Sequence, residues 1–512
     1  LFRSQNLSLG LDPWADADEA PLSAADQHRL RELFGSTSLR YVGDGVALLE
    51  ARCLAICRAA LGEKSPTESI QPIPDELLPS ATQAASATWD RVLNHLHTTL
   101  TPRLLACAEA EREALLKGLS GQRIAAGPSG APTRGRPDLL PTGRNFYSVD
   151  LRGLPTEAAW DLGRRSAELL LESHLQQEGD HLQTLALSVW GTATMRNGGE
   201  DIAQALALLG VRPLWDGPTR RMVDLEVIPL TLLGRPRVDV TLRISGLFRD
   251  AFPQLVGWMN KATALVAALD EPAALNPLAE ASRHEGHSGR VYGSAPGAYG
   301  AGLQGLIDSG HWDSRADLAE AFLQWSGWRY SAAGAEAIEA QPDRAGLEER
   351  LRQVQVVLHN QDNREHDLLD SDDYYQFQGG LSAAAETLQG RAPALWFGDH
   401  SRPERPRVHR LEREFDKVLR SRVLNPRWIE AMQQHGYKGG FEMAASLDYL
   451  FAYDASTGRA PDWGYGAICD QWLTDQQVRD FLEAANPWAL RDMAERSEEH
   501  TSELQSQFRI SY

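Results

Sequence analysis

The sequence predicts a mixed α/β, multi-domain protein: a helical N-terminal segment, a βαβ-containing central block and a helix-rich C-terminal region. Three observations carry this. The chain has 512 residues, more than one hydrophobic core organises, so two to four domains are expected. Apolar residues recur at helical spacing through roughly the first 120 positions. From residue 155 onward, strand-like runs alternate with helical ones. The divisions that follow are a helical segment 1–120, an α/β core 121–310 and a helix-rich region 311–495. Residues 496–512 form a separate tail.

Taken in order, "SAADQHRLRELFG" (23–35) opens with Ser23 and Asp26, close to a capping-box pattern, and ends on Gly35. "DGVALLEARCLAICRAALG" and "SATWDRVLNHLHTTL" continue as helices. His95 and His97 lie two apart, so they face different sides of their helix. From 118 to 143, 10 of 26 residues are Gly or Pro, with Arg123, Arg134 and Arg136 interleaved and Arg144 just beyond. That composition fits an ordered loop that meets an anion, or a flexible basic linker. Pro155 sits where a helix would begin. "LQTLALSVW" reads as a buried strand, "GTATMRNGGEDIAQALALLG" as a loop feeding a helix, and "VRPLW" as the next strand. Together they make a βαβ unit. "LEVIPLTLL" and "RVDVTLRIS" add two β segments. Asp239 and Arg243, four apart, share a strand face, and the arginines 235, 237, 243 and 249 read as surface ion pairs. "LFRDAFPQLVGWMNKATALVAAL" returns to helix. Residues 281–310 hold eight glycines and one proline, which suits either a backbone-lined pocket wall or a plain surface loop. Helices and polar loops alternate from there to about residue 495, without a solenoid repeat.

Composition limits the function classes. Hydrophobic content of 42% and charged content of 24% are ordinary for a globular protein. The net charge of −19 argues against a general binder of nucleic acid or anionic membranes. No apolar run reaches about 18 residues, so no transmembrane helix is expected. The start, "LFRSQNLSLG", has neither an initiating Met nor a signal pattern and reads as the inside of a longer protein. Cys53, Cys57, Cys107 and Cys469 do not make a disulfide framework in so long a chain. Cys53 and Cys57 read as a buried helix face, with a metal site as the other reading. A reducing cytoplasm is expected. "RSEEHTSELQS" resembles the translation of a sequencing adapter, so 496–512 is set aside.

Three stretches are candidates for chemistry. The first is "VWGTATMRNGGED". Trp190 ends a strand, Gly191 and Thr192 turn the chain, and Gly198 and Gly199 precede a helix. Ligands bind at the carboxyl ends of strands in open α/β sheets. Paired glycines let backbone approach a ligand, an indole stacks on a planar one, and Arg196 suits a carboxylate. Neither GxGxxG nor a P-loop occurs. The second is "LPTGRNFYSVD", where Arg144 and Asn145 supply donors and Phe146 and Tyr147 aromatic faces. The third is "HNQDNREHDLLDSDDYYQFQGG" (359–380), with two histidines, five aspartates and one glutamate. Such crowded carboxylates are stable only if solvated, protonated, paired with Arg or holding a cation. Carboxylate and imidazole sets suit Mg²⁺, Mn²⁺ or Co²⁺. The spacing is not that of an EF-hand or a zinc protease, and a solvated acidic loop capping a helix is the competing reading.

These stretches, with "GRPRVDVTLRISGLFRDAFP" and "YGSAPGAYGAG", resemble in the same order the C-terminal part of the large subunits of the cobaltochelatase (CobN)/magnesium chelatase family. The resemblance covers roughly residues 1–495. It implies a subunit that binds a tetrapyrrole and takes part in inserting a divalent metal in an ATP-dependent reaction. In the cobalt branch the tetrapyrrole is hydrogenobyrinic acid a,c-diamide, the metal is Co²⁺ and the pathway leads to cobalamin. ATP and Mg²⁺ are used by partner AAA+ motor subunits of the CobS/CobT type. The resemblance also suggests the site: His359, Glu365, His366, Asp370 and Asp372 as bases and temporary metal ligands, and Arg144, Asn145, Tyr147, Trp190, Thr192, Arg196, Gly198 and Gly199 around the macrocycle. The family's upstream loop of the type "HG…EWLPGK" has no counterpart here, so the resemblance implies part of a site, inactive alone. "DSDDYYQF" leans toward cobalt. A magnesium chelatase subunit acting on protoporphyrin IX, a non-catalytic tetrapyrrole-binding homologue and a metal-dependent hydrolase are the other readings.

Overall fold

The computed structural model describes residues 94–509, apart from 129–131, 133–138, 148–149 and 333–336. The helix at 23–35, the Cys53/Cys57 face and Arg134 and Arg136 lie outside the described residues. The fold is mixed α/β. It falls into two compact units, Leu1–Ser148 and Val149–Tyr512.

In the first unit a helix, Cys107–Leu119, precedes two short parallel strands, Ala126–Pro128 and Asn145–Tyr147. Gly143 takes a φ of +85°, and a Cβ there would sit 2.5 Å from the Ala110 carbonyl carbon. Only glycine fits a left-handed turn pressed so closely onto a helix backbone. Both ends of the Gly/Pro-rich stretch are therefore ordered.

The second unit is built on one eight-stranded sheet. Its strands are β1 (Thr184–Val189), β2 (Asp239–Ile244), β3 (Val291–Gly293), β4 (Trp328–Ala332), β5 (Ile338–Pro342), β6 (Val356–Gln361), β7 (Ala394–Asp399) and β8 (Arg407–Arg410). The order across the sheet is β8-β7-β6-β1-β2-β3-β4-β5. The five from β7 to β3 run parallel, and β8, β4 and β5 are antiparallel additions at the two edges. Leu187 of β1 sits between Leu358 of β6 and Leu242 of β2. β2 and β6 are buried along their whole length, as a parallel sheet covered on both faces requires.

Side chains alternate between two cores. On one face Leu185, Leu187, Val356 and Leu358 meet α1 (Glu157–Glu178) and, beyond the short α2 (Gly191–Asn197), α3 (Glu200–Leu209). After α4 (Gly246–Ala251), α5 (Pro253–Ala267) completes that layer. On the other face Ala186 and Val357 meet α6 (Arg315–Ser326), α7 (Gly380–Gln389) and α8 (Tyr437–Thr457). α1 begins where Thr156 Oγ1 accepts from Ala159 N at 3.1 Å.

The structure differs from the sequence reading in four places. Strands from both sides of residue 310 share the sheet, so the blocks 121–310 and 311–495 form one unit, and the first unit ends at 148 rather than 120. Backbone groups of β3 and β1 would stand unpaired without the later strands. "VRPLW" is not the second strand of a βαβ unit: Val211–Trp215 pairs antiparallel with Met222–Val227 in a separate ribbon, outside the sheet. Its alternating burial and central Pro213 suit a half-solvated ribbon. The run after Trp190 is helix α2 rather than a loop, broken from α3 only at Gly198 and Gly199, whose φ values are +79° and +93°. The arginines around β2 are not surface pairs. Asp239 is buried between Arg290 and Arg350, at 2.7 Å from each, and Arg237 is buried against Glu271 at 2.7 Å. Buried Arg243 stacks over Phe377, 4.3 Å from the ring centre. Among the described residues no helix is long and apolar enough to cross a membrane.

Candidate functional site

Strand β1 is followed in sequence by strands laid down on one side of it, β2 and β3. The chain then returns to its other side with β6 and β7. Helical connections leave β1 and β6 in opposite directions, so a crevice opens between their carboxyl ends. A cleft of about 290 Å³ lies there, lined by Trp190, Thr192 and Arg196 after β1 and by Asn360, Asp362, His366, Asp370, Asp373 and Tyr374 at and beyond the end of β6.

Trp190 is the hinge of the floor. Its ring lies 4.3 Å from Phe377, 5.9 Å from Tyr374 and 6.2 Å from His359, the last two edge to face. Gly191 starts α2 directly beneath, where a Cβ would meet the backbone of Phe248 at 2.7 Å. The missing side chain lets α4 press against α2 and hold Trp190 in place. His359 is 1% exposed and wedged between Tyr374 and Phe397. Burial pushes its pKa down to about 3, so the ring is neutral. Neither His359 nitrogen has a hydrogen-bond partner, nor does Trp190 Nε1. Buried polar atoms without partners are rare in folded proteins, and each calls for an explanation such as strain, a catalytic role or a bound water or ion.

Three of the crowded carboxylates of 359–380, Asp362, Asp367 and Asp370, lie against arginines. Arg196 grips Asp362, with Nε and Nη2 donating at 3.0 and 2.6 Å. Arg422 donates to both oxygens of Asp367, at 2.6 and 2.7 Å, and lies 3.3 Å from Asp370. Asn363 Oδ1 accepts from the backbone of Glu365 and His366, which sets the bend of the loop. Asp370 and Asp373 face the cleft, and burial, then a neighbouring aspartate, raises the pKa of each. Burial also pushes the Tyr374 hydroxyl up to about 12.

The sequence-derived candidates therefore divide. Trp190, Thr192, Arg196, His366 and Asp370 line the cleft. His359 lies beneath the aromatic floor rather than on it. Glu365 is exposed and outside the lining. Asp372 turns away and accepts from Gln376 Nε2 at 2.9 Å. The five expected metal ligands do not close into one cage: among the described residues no group of three or more His, Cys, Asp or Glu is placed to hold a metal ion. The strand end at His359 and the helical turn Asp372–Tyr374 send their side chains in different directions. Gly198 and Gly199 also lie outside the lining, and their left-handed backbone makes the corner between α2 and α3. Arg144 and Asn145 are exposed in the first unit, where Asn145 N donates to Ala125 O. The Tyr147 side chain lies outside the described residues.

Sequence reasoning missed Asn360 as a cleft residue and the polar groups behind it. Asp201, fully buried at the start of α3, accepts from Asn360 Nδ2 at 2.8 Å. Burial raises the pKa of Asp201 to about 7. In "GGED" the glycines draw the eye, and the overlooked signal is the two acidic residues that open an otherwise apolar helix.

Comparison with known proteins identifies the family. The family model for CobN/Magnesium Chelatase matches residues 16–502. The chain is 50% identical to the aerobic cobaltochelatase subunit CobN of Pseudomonas aeruginosa, over 96% of this chain and 39% of that protein. It is 30% identical to a magnesium-chelatase subunit of Chlorobaculum parvum, over 76% of this chain and 31% of that protein. The solved catalytic subunit of cobaltochelatase from Mycobacterium tuberculosis superposes with a TM-score of 0.76 at 43% identity, covering 92% of this chain and 40% of that one. The chain spans about two fifths of the length of these cobaltochelatase relatives. It belongs to the CobN/magnesium chelatase family.

Proposed function

We propose that the chain is the C-terminal portion of a cobaltochelatase large subunit that binds hydrogenobyrinic acid a,c-diamide for insertion of Co²⁺ in cobalamin biosynthesis. The observation that carries this is the cleft at the switch point, which joins an aromatic floor to imidazole and carboxylate groups. A flat macrocycle with acidic side chains needs an apolar surface and cationic groups. An entering Co²⁺ needs transient oxygen and nitrogen donors, and the inner N–H protons that it displaces need bases. His366 and Asp370 supply donors at the cleft wall. His359, kept neutral, is a further nitrogen donor that comes into reach when Tyr374 moves.

At about 290 Å³ the cleft is at the small end of ligand sites, which run to about 1,000 Å³. It therefore takes an edge of the macrocycle, and the remaining walls come from the part of the subunit not present in this chain. The chain alone is accordingly inactive in metal insertion. ATP, with Mg²⁺, is consumed by AAA+ partner subunits of the CobS/CobT type, whose motion opens or distorts the site.

A fluorescence titration tests the reading. Trp190 is quenched by a bound macrocycle, and a Trp190→Phe variant identifies its share of the signal. Saturable quenching by hydrogenobyrinic acid a,c-diamide, with weaker binding of protoporphyrin IX, is expected. Preference for protoporphyrin IX shifts the reading to magnesium chelatase. No quenching by either, with this chain or with the full-length subunit, removes the macrocycle from this cleft.

A further inference from the structure

Tyr374 lines the cleft at the switch point, and the next residue, Tyr375, lines a second cavity of about 330 Å³. Its walls come from α8, from α9 (Pro487–Arg509) and from the short helix Gln304–Ser309. Three large aromatic side chains on those walls stand in solvent: Tyr437 is 62% exposed, Phe441 48% and Trp488 67%. Apolar groups gathered in water around a pocket mark docking surfaces, and Tyr and Trp are frequent anchors there.

The charge of the cavity is one-sided. Asp308, Asp448 and Asp492 line it against one cation, Arg496, whose Nε donates to Asp448 at 2.8 Å. Arg496 opens the tail set aside above, and without it the cavity is more acidic still. Neighbouring cations are engaged elsewhere, Lys438 by Glu442 and Arg491 by Glu495, each at 2.6 Å. Among the described residues, neither Asp308 nor Asp492 has an ion pair or a hydrogen bond to its carboxylate. Tyr375 makes a separate demand. It is 2% exposed, and among the described residues no hydrogen bond reaches its hydroxyl. Burial, then the charges of Asp372 and Asp308, push its pKa up, so the hydroxyl stays protonated. Asp448 acts on it as well, and Asp308 and Asp448 both stand on the cavity wall, so the hydroxyl faces the cavity. A buried hydroxyl without a partner calls for one.

These groups select a kind of occupant. The carboxylates are dispersed, and among the described residues no three acidic, His or Cys side chains are placed to hold a metal ion. A guanidinium suits them better. It is planar, reaches several acceptors with its five N–H groups and stacks on aromatic faces. We propose that this cavity is a docking site for the ATP-consuming partner subunit, which inserts an arginine side chain into it. This rests on the partner reading above and names where that partner meets this chain. The position gives the contact a consequence. Tyr375 begins a π-helical turn, Tyr375–Gly379, a form frequent at functional sites. A pull on the Tyr375 hydroxyl passes directly to Tyr374, whose ring lies 5.0 Å from that of His359. Docking on one side of the turn thus moves the residue that covers His359 on the other.

The test uses the full-length subunit that contains this chain and the assembled AAA+ partner, with binding followed by biolayer interferometry. The Asp308→Asn/Asp492→Asn double variant should bind the partner about tenfold more weakly. Added salt should weaken the wild type more than this variant. Tyr375→Phe, which removes only the hydroxyl, should weaken binding about threefold. Affinity for hydrogenobyrinic acid a,c-diamide, measured alongside by fluorescence quenching, should stay at the wild-type value, because none of the three residues lines the cleft. Unchanged partner affinity in both variants overturns the docking site and leaves the partner reading in place. Equal loss of partner and macrocycle binding overturns it too, as a general loss of folding. So does a melting temperature that drops in the variant full-length subunit without partner but not in this chain, because the upstream part of the subunit then fills the cavity. A wild type that binds no AAA+ partner overturns the docking site and the partner reading together.

Discussion

Arg196 and Asp362 clasp each other across the mouth of the cleft, Nε to Oδ2 at 3.0 Å and Nη2 to Oδ1 at 2.6 Å. One residue follows β1 and the other follows β6, so this pair bridges the two strand ends between which the cleft opens. From sequence, Arg196 suits a substrate carboxylate. In the structure its fork is already engaged, and that changes what its removal should do.

Arg196→Ala takes the bidentate partner from a carboxylate that is 4% exposed. Removing one partner of a buried pair is costly, but Arg196 is itself partly solvated, which reduces the loss to about 2 kcal/mol. Arg196→Lys keeps the charge and loses the fork, so it should fall between wild type and alanine. Urea denaturation measures both. Unchanged stability in Arg196→Ala would show that the pair is not structural and would free Arg196 for a ligand.

His359→Phe separates stability from chemistry. Replacing a buried, unpartnered imidazole with an apolar ring of similar size is close to neutral or stabilising at pH 7. The folded imidazole stays neutral down to about pH 3, whereas the unfolded one takes a proton near pH 6.5. The unfolded state binds more protons in that window, so wild-type stability falls as the pH drops through it. The variant should lack this component. In the assembled enzyme the same substitution should abolish cobalt insertion while leaving macrocycle binding intact. Retained insertion would remove His359 from the reaction.

Asp201 has the opposite sign. Its folded pKa, raised to about 7 by burial from a usual 3.8, means that the folded state binds more protons between those values. The contribution of Asp201 therefore turns against the fold as the pH rises from about 4 to 7, and levels off above. Asp201→Asn should be more stable than wild type at pH 8 and close to it at pH 4. Thermal melts at the two pH values decide this. A difference that is the same at both would mean that Asp201 is ionised throughout.

Gly199→Ala tests the corner between α2 and α3. Its φ of +93° is disfavoured for any residue with a Cβ, and the added carbon would sit 3.3 Å from Pro155. A loss of about 1 kcal/mol or more is expected, with macrocycle affinity nearly unchanged because Gly199 does not line the cleft. A selective loss of affinity without a loss of stability would return the glycine pair to the binding site.

Much of the site could be read from local pattern. The buried strand read before Trp190 is β1, which ends at Val189, while His359 lies within β6, which runs on to Gln361. Of the candidates that the sequence offers, Trp190, Thr192, Arg196, His366 and Asp370 line the cleft, whereas His359, Glu365 and Asp372 do not. What local pattern gave wrongly was "VRPLW". Its apolar spacing suits a sheet strand, but only pairing partners distant in sequence decide which ribbon a strand joins.

The sequence by itself determined most of the element types, though not the helix after Trp190, together with the family resemblance and the short stretches that meet at the cleft. Those follow from local spacing and residue chemistry, which do not depend on what packs against them. The tertiary structure alone decided three things. It placed β6 beside β1, which makes the switch point and hence the cleft. It paired Asp362 and Asp367 with arginines 196 and 422, which the crowded loop left open among several possibilities. It buried His359 and Asn360 on opposite faces of one strand end, the first among aromatic rings and the second on Asp201 and Gln204. These are outcomes of strand order, side-chain direction and desolvation. Apart from the stacking of His359 on Tyr374 and Phe397, they are set by contacts between segments 50 to 200 residues apart, as in the Arg422–Asp367 and His400–Glu200 contacts, and no local window of sequence contains them.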